Sequence, residues 1–133
     1  AMNRVFSDRI DAARVSRVAA VLEKRTGLRF SDQDIYVNVA GGVRLAESGI
    51  DLALASALYS ARTDIASPRE TAFVGELSLA GEIRPVGRLK ARVKAASALG
   101  FSRVLAPEAE SGAQAVTDIQ ETIARVFGKR AKP

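Results

Sequence analysis

Segment 50–61 constrains the fold most, because apolar and small residues cover almost the whole circumference of the helix that it would form. Ile50, Leu54, Leu58 and Ala61 share one face, and alanines and leucines fill much of the rest. A helix that is apolar nearly all round has to be buried. The segment is much shorter than the ~20 residues that cross a bilayer, so we expect it at the centre of a globular core and not in a membrane.

Other segments have the periodicities of amphipathic helices and of strands. Apolar residues recur at three and four over 11–25, 87–99 and 114–127, which predicts three more helices, the second with Leu99 on its inner face and Gly100 after it. Segments 34–40, 71–79 and 103–106 have strand patterns, and Ala80-Gly81 predicts a hairpin that returns through 82–86. We therefore predict a single domain over 1–133, of the α+β or α/β class with a mixed sheet.

The composition excludes several kinds of chemistry. The chain has no cysteine and no histidine, so the usual zinc ligands and any Ser-His or Cys-His nucleophile are missing, and we predict no metal site. A hydrolase would need a Ser-Lys or carboxylate mechanism. Absence of cysteine suits a reducing compartment, and we expect the cytoplasm.

Both ends are expected to lie outside the folded part. Ala1-Met2 resembles a cloning remnant, and 128–133 is a basic stretch that we expect to be flexible. The chain is therefore predicted to be a fragment of a longer protein.

Three ordered segments carry a family resemblance: 22–28 (LEKRTGL), 34–44 (DIYVNVAGGVR) and 73–86 (FVGELSLAGEIRPV), the last followed by RLK at 88–90. Together they resemble the Lon-protease-like C-terminal domain of the bacterial RadA (Sms) family of recombination and repair proteins. The resemblance covers 21–107 and implies the fold of ribosomal protein S5 domain 2. It also implies a zinc motif and a RecA-like ATPase in a missing N-terminal part. ATP, magnesium and zinc are expected only there, because this chain has no Gly-x4-Gly-Lys-Ser/Thr phosphate loop.

The resemblance to active Lon enzymes also places their catalytic serine and lysine. The serine position falls at Gly49 and the lysine position at Arg92. Glycine has no nucleophile, and arginine stays protonated and cannot act as a base. We therefore predict no catalytic residue and no enzyme activity for this fragment.

Ser48 is the complication, because it stands beside the serine position. With Lys90 or Lys94 it would form a shifted Ser-Lys dyad, but those lysines lie roughly 200° around a helix from the base position. The favoured interpretation is a helix cap, in which Ser48 and Asp51 resemble a capping box at the start of the central helix.

Positive charge is concentrated between the hairpin and the third helix. The net charge is +5, which favours a polyanionic partner. We predict sequence-independent contact with single- or double-stranded DNA, without base stacking, because aromatic residues are few and Phe6 and the other phenylalanines are expected in the core. An ordinary solvated face, offset by Glu82 and Asp51, is the other interpretation. The DNA-binding candidates are Arg84, Arg88, Lys90, Arg92, Lys94 and, in second rank, Arg44 and the tail residues Lys129, Arg130 and Lys132.

The predicted function follows from the resemblance. The chain would be a non-proteolytic Lon-like scaffold that supports a hexameric ring and binds DNA during recombination and repair. The full-length protein would be a DNA-dependent ATPase that extends recombination intermediates by branch migration, assembles as a homohexamer and has a recombinase as a possible partner. The alternatives are a Ser-Lys peptidase that uses Ser48 and a pure oligomerisation module without DNA contact.

Overall fold

The computed structural model describes residues 4–128. The predicted cloning remnant Ala1-Met2 and most of the predicted tail, 129–133, lie outside the described residues. The elements in chain order are β1 Val5–Ser7, α1 Ala12–Thr26, β2 Ile35–Val37, α2 Asp51–Thr63, β3 Thr71–Phe73, β4 Glu76–Leu77, β5 Ile83–Arg84, α3 Leu89–Ala98, β6 Arg103–Ala106, β7 Gln114–Ala115 and α4 Ile119–Phe127, with short 3-10 turns at Ala40–Gly42 and Ser48–Ile50.

The strands form three small sheets among the described residues. β1 pairs in parallel with β2, and β3, β6 and β7 form a parallel sheet in the order β3-β6-β7. β4 and β5 form the predicted antiparallel hairpin, with Glu76 opposite Arg84. The prediction of a mixed α+β chain with four helices is confirmed, whereas the finer prediction of a fold like ribosomal protein S5 domain 2 stays a prediction.

Helix α2 is buried as its apolar circumference predicts. Leu52, Ala55 and Tyr59 are wholly inaccessible to solvent, and the helix packs against α1 and strands β3 and β4. Helix α1 is capped at both ends: the Asp11 carboxylate accepts from the Ala13 amide, and Gly27 ends the helix in the left-handed region at φ 78°. Among the described residues, no helix is long and apolar enough to cross a membrane.

The predicted strand 71–79 is interrupted at Gly75. The Gly75 amide donates to the Gly49 carbonyl at 3.0 Å, and the Gly75 carbonyl accepts from the Leu52 amide at 3.1 Å. These bonds join the strand to the start of α2. Because the backbone groups of Gly75 are used there, the segment divides into β3 and β4.

Two other predicted boundaries were wrong. The helix predicted over 114–127 begins only at Ile119, because Gln114–Ala115 pairs with β6 and the Asp118 carboxylate caps the helix by accepting from the Glu121 amide at 2.8 Å. Leu99, predicted on the inner face of α3, follows the end of that helix and is 78% exposed.

Candidate nucleic-acid interface

The structure brings together Gly49 and Arg92, the two residues that the resemblance to Lon enzymes assigned to the serine and lysine positions. A Cβ atom added to Gly49 would lie 3.5 Å from Nη1 of Arg92 and 3.1 Å from Oε1 of Glu47. Glu47, Gly49 and Arg92 all line a hollow of about 210 Å³ between the start of α2, strand β3 and helix α3. The two positions that the resemblance assigned are therefore neighbours in space.

Arg92 is held in an ion pair, a partner that the sequence argument missed. Its guanidinium binds both carboxylate oxygens of Glu47, with Nη2 at 3.2 Å from Oε2, and its Nε donates to the Gly87 carbonyl at 2.8 Å. The hydrogen bond from Arg92 lowers the pKa of Glu47, and the same bond raises the pKa of Arg92. Both side chains are thus charged and neutralise each other, so Arg92 is less available to phosphate than the other candidates.

The predicted cap of the central helix is wrong. Ser48 lies in the 3-10 turn Ser48–Ile50, and no side chain caps α2, whose N-cap position is Ile50. In the described part of the chain, the Ser48 hydroxyl makes no hydrogen bond to a lysine or a carboxylate. The turn leads the backbone directly into α2. The Ser48 hydroxyl therefore does not bond to the free amides of the first turn of that helix.

Asp51 is a buried ion-pair partner and not a member of a capping box. Its side chain is fully buried, with Oδ1 at 2.8 Å from Nη1 of Arg14 and Oδ2 at 3.9 Å from Nη2 of Arg17. Oδ2 also accepts from the Leu77 amide at 3.0 Å. A buried carboxylate needs such partners, and here they join α1, α2 and β4. Asp51 is therefore unable to offset the charges of α3.

Three predicted DNA-binding residues form what we call the basic ridge: Arg88, Lys90 and Lys94. Lys90 and Lys94 are four residues apart on α3, which places them on one helix face, and all three residues are exposed. None makes a salt bridge to an acidic residue among 4–128. The ridge is therefore uncompensated positive charge on the surface.

The remaining candidates lie in different surroundings. Arg84, on β5, is 4.0 Å from the Glu82 carboxylate, and both side chains are more than half exposed. Arg44 follows the paired glycines, where its Nη2 donates to the Asp8 carbonyl at 3.3 Å. Arg84 could extend the ridge from the hairpin, whereas Arg44 is tied to the loop after β1.

The start of α3 favours an anion. No side chain caps this helix, and its first turn contains no acidic residue. Helix N-termini carry free amides and partial positive charge, so cations there are unfavourable and anions are stabilised. Arg88 occupies the N-cap in the left-handed region at φ 60°, a conformation uncommon for residues other than glycine. The Arg92–Gly87 bond fixes this turn.

An exposed aromatic pair was not predicted. Phe6 on β1 and Tyr36 on β2 are register partners, and their rings stack with centroids 4.7 Å apart and an interplanar angle of 13°. The prediction that Phe6 belongs to the core is wrong, since it is 44% exposed and Tyr36 is 73% exposed. The alternation at 35–37 could have placed Tyr36 on the outer face, but β1 is too short to be predicted.

Comparison with known proteins gives two results. The family model described as subunit ChlI of Mg-chelatase matches residues 8–110. The DNA repair protein RadA of Treponema pallidum is 58% identical over 135 residues, which cover 96% of this chain and 30% of the relative. RadA of Streptococcus pneumoniae is 42% identical with 89% and 30% covered, and RadA of Bacillus subtilis is 48% identical with 75% and 22% covered. The chain thus spans less than a third of the length of these relatives.

These matches confirm the resemblance to RadA proteins, and the relatives themselves carry the name DNA repair protein. They do not support the finer predictions of a Lon-like C-terminal domain, a degenerate peptidase or a hexamer. The predicted homohexamer and recombinase contact concern partner chains and stay predictions.

Three predictions are contradicted. The non-proteolytic Lon-like scaffold is wrong as the function, and its peptidase and oligomerisation alternatives fall with it, because the ChlI family is of the AAA-type ATPase kind and points to the ATPase part of RadA. The predictions that the fragment is no enzyme and has no cofactor are wrong for the same reason, since the match suggests a nucleotide-binding part.

The described residues do not fit the phosphate loop of a P-loop ATPase. The adjacent glycines Gly41 and Gly42 have φ of 84° and 70°, but they are followed by Val43 and Arg44 in place of a Lys-Ser/Thr pair and a helix. Helix α2 begins with the buried carboxylate of Asp51, which would repel a phosphate. Among residues 4–128 there is also no cluster of three or more metal-ligating side chains. Contacts of this chain to a nucleotide would therefore have to come from other groups.

Proposed function

The chain belongs to the family described as subunit ChlI of Mg-chelatase, and we propose that it works in the ATPase part of a RadA-type DNA repair protein, where its basic ridge contacts the DNA backbone. In the whole protein, which would be a DNA-dependent ATPase of the bacterial cytoplasm, the chain would hold DNA during nucleotide turnover. We propose that it forms one domain of that longer protein.

The observation that carries the proposal is the uncapped start of α3 with cations on both sides of it. Arg88 and Lys90 raise the positive potential at a helix end that already favours anions, so the arrangement costs stability in the free chain. A phosphate placed there would be stabilised by the side chains and by the free backbone amides together. Lys94, one turn further along, would meet a second phosphate of the same strand.

The neighbouring ion pair supports this geometry. Arg92 lies between Lys90 and Lys94 in sequence, but it bonds to Glu47 and to the Gly87 carbonyl. It therefore fixes the turn that carries Arg88 and keeps the start of α3 beside the start of α2. In this proposal Arg92 positions the ridge and does not itself bind DNA.

The ridge offers backbone contact without base readout. None of its three side chains is an aromatic or an amide, and lysine binds phosphate as a point charge. Binding should therefore depend strongly on salt and little on sequence.

The test compares two triple variants of equal charge. In the ridge variant, Arg88, Lys90 and Lys94 are changed to alanine; in the control, the exposed Lys24, Arg29 and Arg69 are changed to alanine. Affinity for a labelled DNA duplex is measured by fluorescence anisotropy against salt concentration. We expect the ridge variant to bind more weakly, with a log-log salt slope smaller by about 0.9 for each phosphate that it no longer neutralises.

The control variant should keep the wild-type salt slope. Its affinity should fall slightly at every salt concentration, because its net charge is lower. Equal decreases in both triple variants would show that only total charge matters and would refute the ridge. Thermal unfolding of all three proteins confirms that each is folded, because the substituted side chains are exposed.

A further inference from the structure

The Phe6–Tyr36 pair lies on the outer face of the β1-β2 sheet, where no core covers it. The register places Arg4, Phe6 and Asp8 along β1 and its flanks, opposite Asp34 and Tyr36. Phe6 covers one face of the Tyr36 ring at 4.7 Å, and the guanidinium of Arg4 lies 5.6 Å from the Phe6 centroid. Since the pair is extensively exposed, the other face of the Tyr36 ring is open to a ligand.

A hollow of about 220 Å³ adjoins this stack. Tyr36 lines it and Phe6 does not, while Phe6 stacks on one face of the Tyr36 ring. The hollow is smaller than the roughly 300–1,000 Å³ of sites for drug-sized ligands, and it suits a single flat ring system.

The rest of the hollow is part apolar and part polar: its apolar wall is made by Phe30, Ile35, Leu58 and Ala61, and its polar groups come from Gln33, Asp34 and Arg62. Gln33 offers an amide oxygen and the second N–H of Nε2, whose first N–H donates to Oδ1 of Asp32 at 3.3 Å. Asp34 offers carboxylate oxygens that Arg4 already neutralises at 2.8 Å. Arg62 lines the same hollow; its Nε donates to the Arg29 carbonyl at 2.8 Å, and its terminal nitrogens make no hydrogen bond to residues 4–128. An aromatic wall, hydrogen-bonding groups and a guanidinium are the groups that a nucleotide unit needs.

We propose that an unpaired nucleobase stacks on Tyr36 within this hollow, with the amide of Gln33 at the base edge and Arg62 facing the phosphate. The base belongs either to a single strand or to a free nucleotide, since the chemistry is shared. A duplex does not fit, because its bases are already stacked on each other. The site is thus separate from the basic ridge, which needs only phosphates.

Tyrosine fluorescence reports the stacking directly. The chain has two tyrosines and no tryptophan, and Tyr59 is wholly buried, so a ligand that stacks on the surface quenches Tyr36. The probes are oligo(dT), an abasic oligomer of the same length, and AMP. We expect oligo(dT) to quench and the abasic oligomer not to quench. Quenching by AMP as well identifies the free nucleotide as a ligand, whereas quenching by oligo(dT) alone identifies the strand.

Variants then test the role of the ring. Tyr36→Ala should weaken the binding of the quenching ligand about thirtyfold, the middle of the range for removal of one base–aromatic stack. Tyr36→Phe should keep the affinity, measured by anisotropy with labelled probes. Leu79→Ala is the matched control, because Leu79 is 72% exposed and lies on the hairpin. The affinity of Tyr36→Ala for duplex DNA should be that of the wild type.

Several results would overturn the proposal: no quenching by oligo(dT) or AMP, equal quenching by the abasic oligomer, or unchanged affinity of Tyr36→Ala for every probe. Failure here leaves duplex binding by the ridge intact. Conversely, removal of the ridge weakens duplex binding and leaves the quenching of Tyr36 by AMP unchanged.

Discussion

Two carboxylates lie four residues apart at the start of α2 and have opposite surroundings. Asp51 has no exposed surface and binds Arg14, Arg17 and a backbone amide, whereas the side chain of Glu47 is 53% exposed and binds Arg92. Both pairs join segments that are distant in sequence. Only the Asp51 cluster does so inside the core, where water cannot replace a missing partner.

The difference in burial predicts a difference in role. Removal of one partner of a buried pair leaves a charge without solvent, while water solvates the survivor of an exposed pair. The Asp51 cluster should therefore determine whether the chain folds. The Glu47–Arg92 pair should mainly determine where the start of α3 lies, and with it the basic ridge.

The largest effect is expected for Asp51→Ala. It leaves Arg14 next to the core without its carboxylate and leaves the Leu77 amide without an acceptor, so the free energy of unfolding should fall by about 3–5 kcal/mol. Glu47→Ala is the matched control and should cost less than about 1 kcal/mol. Urea unfolding at neutral pH measures both. Equal decreases would remove the distinction between the two pairs.

A smaller effect is expected from a methyl group at the two glycines that join α2 to the strands. In Gly75→Ala the new Cβ would lie 2.7 Å from Cγ2 of Ile83, so the core has to shift at a cost of about 1–3 kcal/mol. In Gly49→Ala the nearest atom is the carboxylate oxygen of Glu47 at 3.1 Å, on an exposed side chain that can move. Thermal unfolding should therefore place Gly49→Ala close to the wild type and well above Gly75→Ala. The reverse order would show that the core around Gly75 and Ile83 accommodates a methyl group more easily than the exposed side chain of Glu47 does.

The smallest effect concerns pH. Because Arg92 lowers the pKa of Glu47 in the folded chain, the pair contributes stability above the ordinary glutamate pKa of about 4.3, and this contribution disappears as the pH falls through the folded value. The exposure of Glu47 limits the contribution to less than about 1 kcal/mol. Glu47→Gln should therefore lose less stability on acidification than the wild type, measured by urea unfolding at neutral and acidic pH. Parallel curves would show that the pair contributes nothing.

Local signals predicted the helices better than the strands. Asp11 and Gly27 mark the ends of α1 because a cap and a left-handed glycine act within one turn of the chain. The start of α4 could not be found in this way, since pairing of Gln114–Ala115 with β6 competes with helix formation there. Gly75 likewise looks like a strand residue until its bonds to Gly49 and Leu52 are known.

The candidate site also divides into features that the sequence predicts and features that only the tertiary structure shows. Sequence alone located the positive charge of the ridge, because those residues are close together along the chain, and excluded cysteine and histidine chemistry by composition. Only the tertiary structure decided which carboxylate neutralises which arginine: Arg92 meets Glu47, 45 residues away, and Arg14 meets Asp51, 37 residues away. It also decided that Phe6 and Tyr36 stack in solvent. The physical reason is that such pairings arise between segments distant in sequence, where periodicity carries no information about the partner.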